Sequence, residues 1–266
     1  GQDHTVIKDY NARFAAFITG QIDYYGEGSA GLPLTKVMEL RQRYDADNFI
    51  IAPTLHSWGK GIQINMEREP FNDARIRMAM HLALDREEWL EFNWGFGVHR
   101  HTLWMPPGSV WALPFSELAA MPGWRREEGK AADIVEANRL VNEVLGAGHR
   151  FSVECMAQEA IAYIEGCEFF QRQMKTNLGV EATISIVDDS VQDARGGAAD
   201  YDVHFGSKAV TLVADPDDFY MSHLVKDKEN WYYRGTGRES ADPVLADRLE
   251  KLVLEQSREL DVVKRV

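Results

Sequence analysis

The stretch EPFNDARIRMAMHLALDREEW, residues 69–89, has the rhythm of an amphipathic helix whose apolar run is interrupted by charges. Its apolar side is formed by residues at helical spacing: Ile76, Ala79, Met80, Ala83 and, just beyond, Leu90. Asn72 stands where an N-cap belongs. Asp73 lies four residues before Arg77, a spacing typical of ion pairs on a helix surface. Capping and pairing explain the charges, so the pattern predicts a structural helix and not a catalytic constellation.

Length and charge limit the classes of protein that the chain can represent. Its 266 residues are 45% hydrophobic, enough to bury the core of one large domain or two small ones. The formal net charge of -13 argues against nucleic acid or an anionic membrane surface as the main partner. No apolar run reaches the roughly 18 residues that a membrane-spanning helix needs.

The two cysteines, Cys155 and Cys167, are too few for a disulfide framework and fit no zinc-site spacing. We predict two buried thiols. A disulfide between them is the alternative, and it would matter in an oxidising compartment.

The order of the elements predicts an α/β class in which helices cover a sheet. Strands are predicted at 22–25, within 48–58, at 59–66, 151–157, 180–189 and 201–207. A helix over 158–179 separates two of these strands, which predicts a parallel pair joined by a right-handed crossover. The irregular segment 93–125 is rich in Gly, Pro and Trp, and a loop of this length is usually functional or wraps the domain.

No catalytic motif is present in the sequence. It lacks a nucleophile elbow, an HExxH zinc motif, a phosphate-binding glycine loop and a dinucleotide fingerprint. His99 and His101 have no further ligand at a suitable spacing, so we predict no metal site, no catalytic residue and no cofactor. Asp215 and Asp242, each followed by proline, are predicted N-caps. Tryptophans in predicted loops favour binding over catalysis, although packing beneath a loop explains any one of them equally well.

The motifs themselves resemble a known family. In chain order they are Gly20–Asp23, Asn65, Pro70–Phe71, Arg75–Ala79, Ala83–Arg86, and then segments 136–148, 177–187, 201–207, 214–219, 241–252 and 259–265. This series is similar to the extracytoplasmic solute-binding proteins of ABC importers that take up oligopeptides, dipeptides or nickel. No single motif is specific, but their order covers nearly the whole chain.

The resemblance implies a type II periplasmic-binding-protein fold, with two lobes around a ligand cleft. Residues 1–57 would be part of the first lobe and residues 58–266 most of the second. The family's proteins are longer, so the chain is expected to be a domain-sized piece of such a protein. Because one wall of the cleft would be largely missing, the isolated piece is expected to bind ligand weakly or not at all.

The resemblance also implies where a ligand would lie. The predicted ligand-binding residues are Tyr25, Gly26, Glu27, Trp58, Trp94, Arg195, Ser207 and Lys208. One feature departs from the family: its oligopeptide-binding members carry an aspartate a few residues before the proline that corresponds to Pro216, and it receives the peptide's amino terminus. Residues 212–214 contain no acid here. The ligand could therefore be a peptide, a sugar or another small solute.

The implied function is capture of a small solute outside the cytoplasm and its delivery to the ABC permease subunits in the membrane. The implied protein is a monomer, periplasmic or otherwise extracytoplasmic, with a lipid anchor on the full-length chain as an option, and without a nucleic-acid partner. Two alternatives are an α/β hydrolytic enzyme that uses His and Asp residues of the 93–125 loop, and a sensory domain that reuses the binding fold.

Overall fold

The chain forms two compact units, residues 1–54 and residues 55–266. The computed structural model of the protein describes residues 3–7, 9–25, 32, 34–44, 48–50, 59–94, 105, 109–208, 215–226 and 242–265. The assignment of residues 1–57 and 58–266 to two lobes stays a prediction, because compactness does not say what each unit does.

The smaller unit contains two helices, α1 (Tyr10–Ile18) and α2 (Leu34–Arg43). The carboxylate of Asp9 caps α1 by accepting from the backbone N–H of Ala12 at 2.7 Å. Among the described residues of this unit, Phe14, Tyr25 and Leu40 form a buried apolar cluster.

The predicted strand at 22–25 is wrong, since these residues form no strand in the structure. The backbone N–H groups of Gln21 and Ile22 donate to the carbonyl of Ala16 at 2.8 and 3.3 Å, so they close the end of α1 instead of joining a ladder. Gly20, at φ +71°, terminates that helix as predicted. The strand predicted within 48–58 is absent over 48–50, and its remainder lies outside the described residues.

The larger unit is built on a mixed four-stranded sheet. Its strands are β1 (Gly59–Ile64), β2 (Ser152–Gln158), β3 (Glu181–Val187) and β4 (Val203–Lys208), in the order β1-β4-β2-β3. β2 is parallel to β3 and β4, and β1 is antiparallel to β4. The predicted parallel pair and the predicted α/β class are confirmed.

The described residues of the larger unit also form helices. They are α3 (Ala74–Ala83), α4 (Arg86–Trp94), α5 (Phe115–Leu118), α6 (Glu127–Leu145), α7 (Ile161–Gln173), which continues as a π-helix over Met174–Leu178, α8 (Asp189–Gly197), α9 (Asp217–Leu224), α10 (Pro243–Gln256) and α11 (Val262–Arg265). On β2, Val153 and Cys155 alternate with the polar Ser152 and Glu154 and enter the main core with residues of α3, α6 and α7. This alternation is the one that the sequence predicts.

Gly166 lies inside α7 because the ring of Phe205 on β4 occupies the space of a side chain. A Cβ at Gly166 would stand 2.0 Å from that ring. We expect Gly166→Ala to lower the free energy of unfolding by about 1–2 kcal/mol, since overpacking outweighs the roughly 1 kcal/mol that alanine gains in a helix. Urea unfolding measures it. In a Phe205→Leu background the same change should be neutral or stabilising, and an equal loss in both backgrounds would refute the steric cause.

The opening stretch forms two helices, α3 and α4, where one was predicted. The predicted N-cap Asn72 is wrong: Asp73 caps α3 by accepting from the N–H of Arg75 at 2.8 Å. Leu84 is extended and ends α3, and Asp85 then accepts from the first N–H groups of α4 at 3.0 and 3.1 Å. An aspartate within the apolar rhythm thus acts as a second N-cap, which the continuous pattern concealed.

The arginines of α3 serve its own beginning. The carboxylate of Asp73 pairs with Arg75 at 2.7 Å and not, as predicted, with Arg77. Arg77 instead donates to the carbonyls of Phe71 and Asn72 at 2.7 and 2.9 Å. These charges are engaged in local structure, as the sequence indicated.

A buried cationic pair closes the other end of α3. Lys130 is 6% exposed, and its ammonium donates to the carbonyls of Leu82 and Leu84 at 3.2 and 2.8 Å. Arg86 donates to the carbonyl of Gly123 at 2.6 Å and to that of His81 at 3.1 Å. The last carbonyls of a helix carry partial negative charge, so cations are the favoured partners there.

His81 is held neutral inside this cluster. Its Nδ1 accepts from Arg86 at 3.0 Å, because a guanidinium only donates, so Nε2 carries the proton and donates to the Pro122 carbonyl at 3.1 Å. Burial, followed by the charge of Arg86, lowers the pKa of His81 to about 4. The positive charge of Lys130 also lowers the pKa of His81, and the negative charge of Asp133 raises it.

This depressed pKa predicts a loss of stability in acid. Between pH 6.5 and 4 the unfolded chain protonates His81 while the folded chain does not, so folding weakens as the pH falls through that window. We expect the free energy of unfolding to fall by about 2 kcal/mol. This is less than the full pKa shift corresponds to, because solvent screens the partly exposed ring. Urea unfolding at pH 7 and pH 4 should show this loss in the wild type and in His149→Gln, an exposed control, but not in His81→Gln. Parallel pH profiles for all three would contradict the assignment.

Cys155 on β2 and Cys167 on α7 form a disulfide, with their Cα atoms 5.8 Å apart. The prediction of burial is confirmed, since both residues are 0% exposed, but the prediction of free thiols is wrong. α7 packs back on the strand that precedes it, and this crossover brings the two side chains face to face. The spacing of the two cysteines in the sequence does not predict that contact.

The two Asp-Pro pairs differ from each other. Asp242 caps α10 with Pro243 in the first turn, as predicted. Asp215 stands one residue further out than predicted, because Pro216 itself occupies the N-cap of α9. The carboxylate of Asp215 still accepts from the N–H of Asp217 at 2.9 Å, and it forms a two-pronged ion pair with Arg265 at 2.9 and 3.0 Å.

Candidate functional site

One edge of the sheet gathers the carboxyl ends of the three parallel strands, at Gln158, Val187 and Lys208. Because β1 runs antiparallel to β4, its first residue, Gly59, lies at the same edge and pairs with Lys208. In α/β folds ligands bind at this side of a parallel sheet, where loops and helix starts leave a crevice. We call it the carboxyl edge.

Two predicted site residues lie on the carboxyl edge. Ser207 and Lys208 end β4, opposite Lys60 and Gly59. Trp58 is outside the described residues, and it directly precedes Gly59 in sequence. The antiparallel register therefore places Lys208 opposite Gly59.

Trp94 is carried to the same edge by α4. The helix starts beside the last residues of α7, where the amide of Gln173 donates to Glu88 at 2.6 Å. α7 returns antiparallel to the strands, so its end lies at the opposite edge of the sheet. The next residue of α4, Trp89, packs its ring on Phe169, which lies one turn before Gln173 on α7, with centroids 5.0 Å apart. α4 therefore runs towards the carboxyl edge, and Trp94 is about 7 Å beyond Trp89 along its axis.

Arg195 is not brought together with these residues. Its guanidinium pairs with Glu154 at 2.6 Å and donates to the carbonyl of Asp200 at 2.9 Å, just before β4 begins. The length of β4, about 17 Å at 3.3 Å per residue, separates that end from Lys208. Within-chain partners compensate its charge, so the geometry favours a structural role for Arg195.

The other predicted site residues belong to the smaller unit. Tyr25 is buried there, 8% exposed, and its ring meets those of Tyr10 and Phe17 edge to face at 6.4 and 5.9 Å. Gly26 and Glu27 lie outside the described residues.

The sequence did not indicate several apolar side chains near the carboxyl edge. Ile161 in the first turn of α7, Ile186 near the end of β3 and Val191 in the first turn of α8 are exposed. The sequence feature that could have indicated them is an aliphatic residue at the start of a helix, where polar capping residues are usual. α7 starts after Ala160, which provides no side-chain cap.

No group of three or more His, Cys, Asp or Glu residues that would hold a metal occurs among the described residues. His99 and His101 fall outside them. The hydrolase alternative relied on His and Asp of the 93–125 loop, yet that segment contains no aspartate. In the described part of the chain, no helix is long and apolar enough to cross a bilayer.

A family assignment follows from comparison with known sequences. The model of bacterial extracellular solute-binding proteins, family 5, middle part, matches residues 3–231, and the chain belongs to this family. The uncharacterized protein y4wM of Sinorhizobium fredii is 24% identical over 294 aligned positions, which cover 94% of this chain and 42% of that protein.

Solved structures share the fold. The chain is similar to Haemophilus influenzae OppA in complex with RPPGFSPFR (TM-score 0.72, 18% identity) and to Helicobacter pylori DppA in complex with peptide STSA (0.71, 17%). It is equally similar to Brucella suis NikA in complex with Fe(III)-EDTA (0.71, 17%). Each match covers 97% of this chain but only 47, 46 and 50% of those proteins, so the chain spans about half their length.

Proposed function

We propose that the chain is part of the solute-binding component of an ABC importer, which captures a peptide or another small solute outside the cytoplasm and delivers it to the membrane permease. Membership of the solute-binding family carries this proposal. The component acts as a monomer without catalysis, and ligand binding closes two lobes by hinge motion. The lobes correspond to residues 1–57 and 58–266.

The carboxyl edge is the ligand-facing surface of the larger unit in this proposal. Trp58, Trp94, Ser207 and Lys208 border the ligand there. Arg195 supports the fold and does not contact ligand, because its charge is already paired with Glu154.

An extracytoplasmic location is supported by the Cys155–Cys167 disulfide, since disulfides persist in oxidising compartments and are rare in reducing ones.

The test is calorimetric titration of the complete gene product with three probes taken from the related complexes: the peptide STSA, the peptide RPPGFSPFR and Fe(III)-EDTA. We expect stoichiometric binding of at least one probe, recovered chemically intact by mass spectrometry. Probe turnover that disappears in His99→Ala or His101→Ala would instead support the enzyme. Binding to the isolated 266-residue chain is expected to be weak or undetectable, and tight binding to it would contradict the two-lobe account.

A matched pair of lysine variants tests the position of the site. Lys208→Met changes the carboxyl edge and is expected to weaken probe binding about tenfold, the effect of losing one good polar contact. Lys175→Met removes the same charge near the opposite edge, where Lys175 pairs with Glu181 at the start of β3, and should leave affinity unchanged. Equal effects of the two variants would argue for general electrostatics instead of a site at the carboxyl edge.

A further inference from the structure

Trp89 touches both elements that flank the proposed ligand site. Its ring centroid lies 5.0 Å from that of Phe169 on α7 and 5.6 Å from that of Phe205 on β4. Phe205 precedes Ser207 by two residues, and Trp89 precedes Trp94 by five. One indole therefore links the helix that leads to Trp94 with the strand that leads to Ser207.

The start of α4 is fixed independently of Trp89. The backbone N–H of Asp85 donates to the side-chain oxygen of Gln173 at 2.9 Å, and Glu88 pairs with Arg172. These contacts hold only the first turn. Trp89, the residue after Glu88, adds a ring contact that joins α4 to both α7 and β4.

The partner ring on β4 is itself held in place. Phe205 is 5% exposed, and its ring packs directly on the backbone of Gly166, where a Cβ would come within 2.0 Å. α7 thus backs Phe205 from one side, and Trp89 contacts the same ring. The spacing between α4 and β4 is consequently set by packed aromatic rings, tilted and edge to face.

We propose that Trp89 is a positioning residue for ligand binding, which fixes the last turn of α4 relative to the end of β4. It acts through Trp94 and Phe205 and does not touch ligand itself. The inference rests on the proposed function, because it takes Trp94, Ser207 and Lys208 as the residues that border the ligand.

The experiment uses the complete gene product labelled with 5-fluorotryptophan. The fluorine resonance of Trp94 is assigned by its loss in Trp94→Phe, and affinity is measured with the three probes STSA, RPPGFSPFR and Fe(III)-EDTA. Trp89→Leu is compared with the conservative Trp89→Phe. The matched control is Phe71→Leu, which truncates a fully buried ring that packs on Phe151 and not on α4.

Trp89→Leu is expected to shift or broaden the Trp94 resonance and to weaken probe binding about tenfold or more. Trp89→Phe should restore most of the Trp94 resonance and most of the probe affinity. Phe71→Leu should lower the thermal midpoint comparably while leaving the resonance and the affinity unchanged. An unaltered Trp94 resonance in Trp89→Leu overturns the proposal, and so does equal disturbance by Phe71→Leu. If no probe binds the wild type, the proposed function fails. The Trp94 resonance in Trp89→Leu then still shows whether Trp89 positions Trp94.

Discussion

Lys130→Met is expected to lower the free energy of unfolding by about 3–5 kcal/mol, the usual cost of removing one member of a buried charged group. The ammonium is nearly inaccessible, and burial, followed by the neighbouring charge of Arg86, lowers the pKa of Lys130. Its loss deprives the carbonyls of Leu82, Leu84 and Gly123 of a donor. It also leaves Asp133, 2% exposed, without the cation 3.9 Å away.

Two further variants show whether burial and charge are the cause. Lys251→Met removes an exposed lysine that pairs with Glu255 at 3.9 Å within one helix, and it should cost under about 0.5 kcal/mol. Adding Asp133→Asn to Lys130→Met should recover part of the loss, because it removes a buried carboxylate that has lost one cation and keeps Arg125 at 3.4 Å. The asparagine still offers an acceptor for the N–H of Gly123. Denaturant unfolding measures all three. A loss below about 1 kcal/mol for Lys130→Met would show that the cluster contributes little.

Removal of the Cys155–Cys167 disulfide is expected to cost about 3 kcal/mol, the value for a short closed loop in the chain-entropy model. The bond closes a loop with a sequence separation of 12 and ties β2 to α7 inside the main core. In a chain of this size the cost corresponds to a fall in thermal midpoint of about 10 °C.

The measurement compares thermal unfolding with and without reductant. The wild type should lose stability when reduced under denaturing conditions and refolded. Cys155→Ala/Cys167→Ala should start from the lower midpoint and respond to reductant not at all. Equal midpoints for the oxidised wild type and the double variant would show that the bond adds no stability.

Local patterns predicted much of the fold. The alternation of Phe151, Val153 and Cys155 with polar residues indicated β2, and the helix that follows indicated a parallel partner, because periodicities of two and 3.6 can be read from the sequence itself. The glycine after α6, Gly146 at φ +89°, ended its helix for the same local reason. Such features depend on near neighbours along the chain.

Features that depend on distant neighbours were mispredicted or unseen. The break between α3 and α4 relies on Lys130, 46 residues beyond the Leu84 carbonyl that it binds. The disulfide required knowledge of how α7 folds back on β2. Gly166 gives no sign in sequence that a ring from β4 fills its place. These contacts exist only after tertiary packing.

The predicted site divides in the same way. Ser207 and Lys208 were assigned from their place at a strand end, and strand register brings that end beside Gly59. Arg195 was assigned from the family resemblance, but α8 places its guanidinium beside Glu154. Trp89 was overlooked because its importance lies in contacting two elements at once.

Hydrogen exchange of the complete gene product, with and without a bound probe, tests the central claim most directly, namely that the carboxyl edge is a solute-binding surface. Ligand should slow amide exchange in the segments around 58–61, 92–96 and 205–209 and leave 195–202 unchanged, with the probe recovered intact. Protection confined to 195–202 or to the helices α9 and α10, or chemical conversion of the probe, would contradict the account.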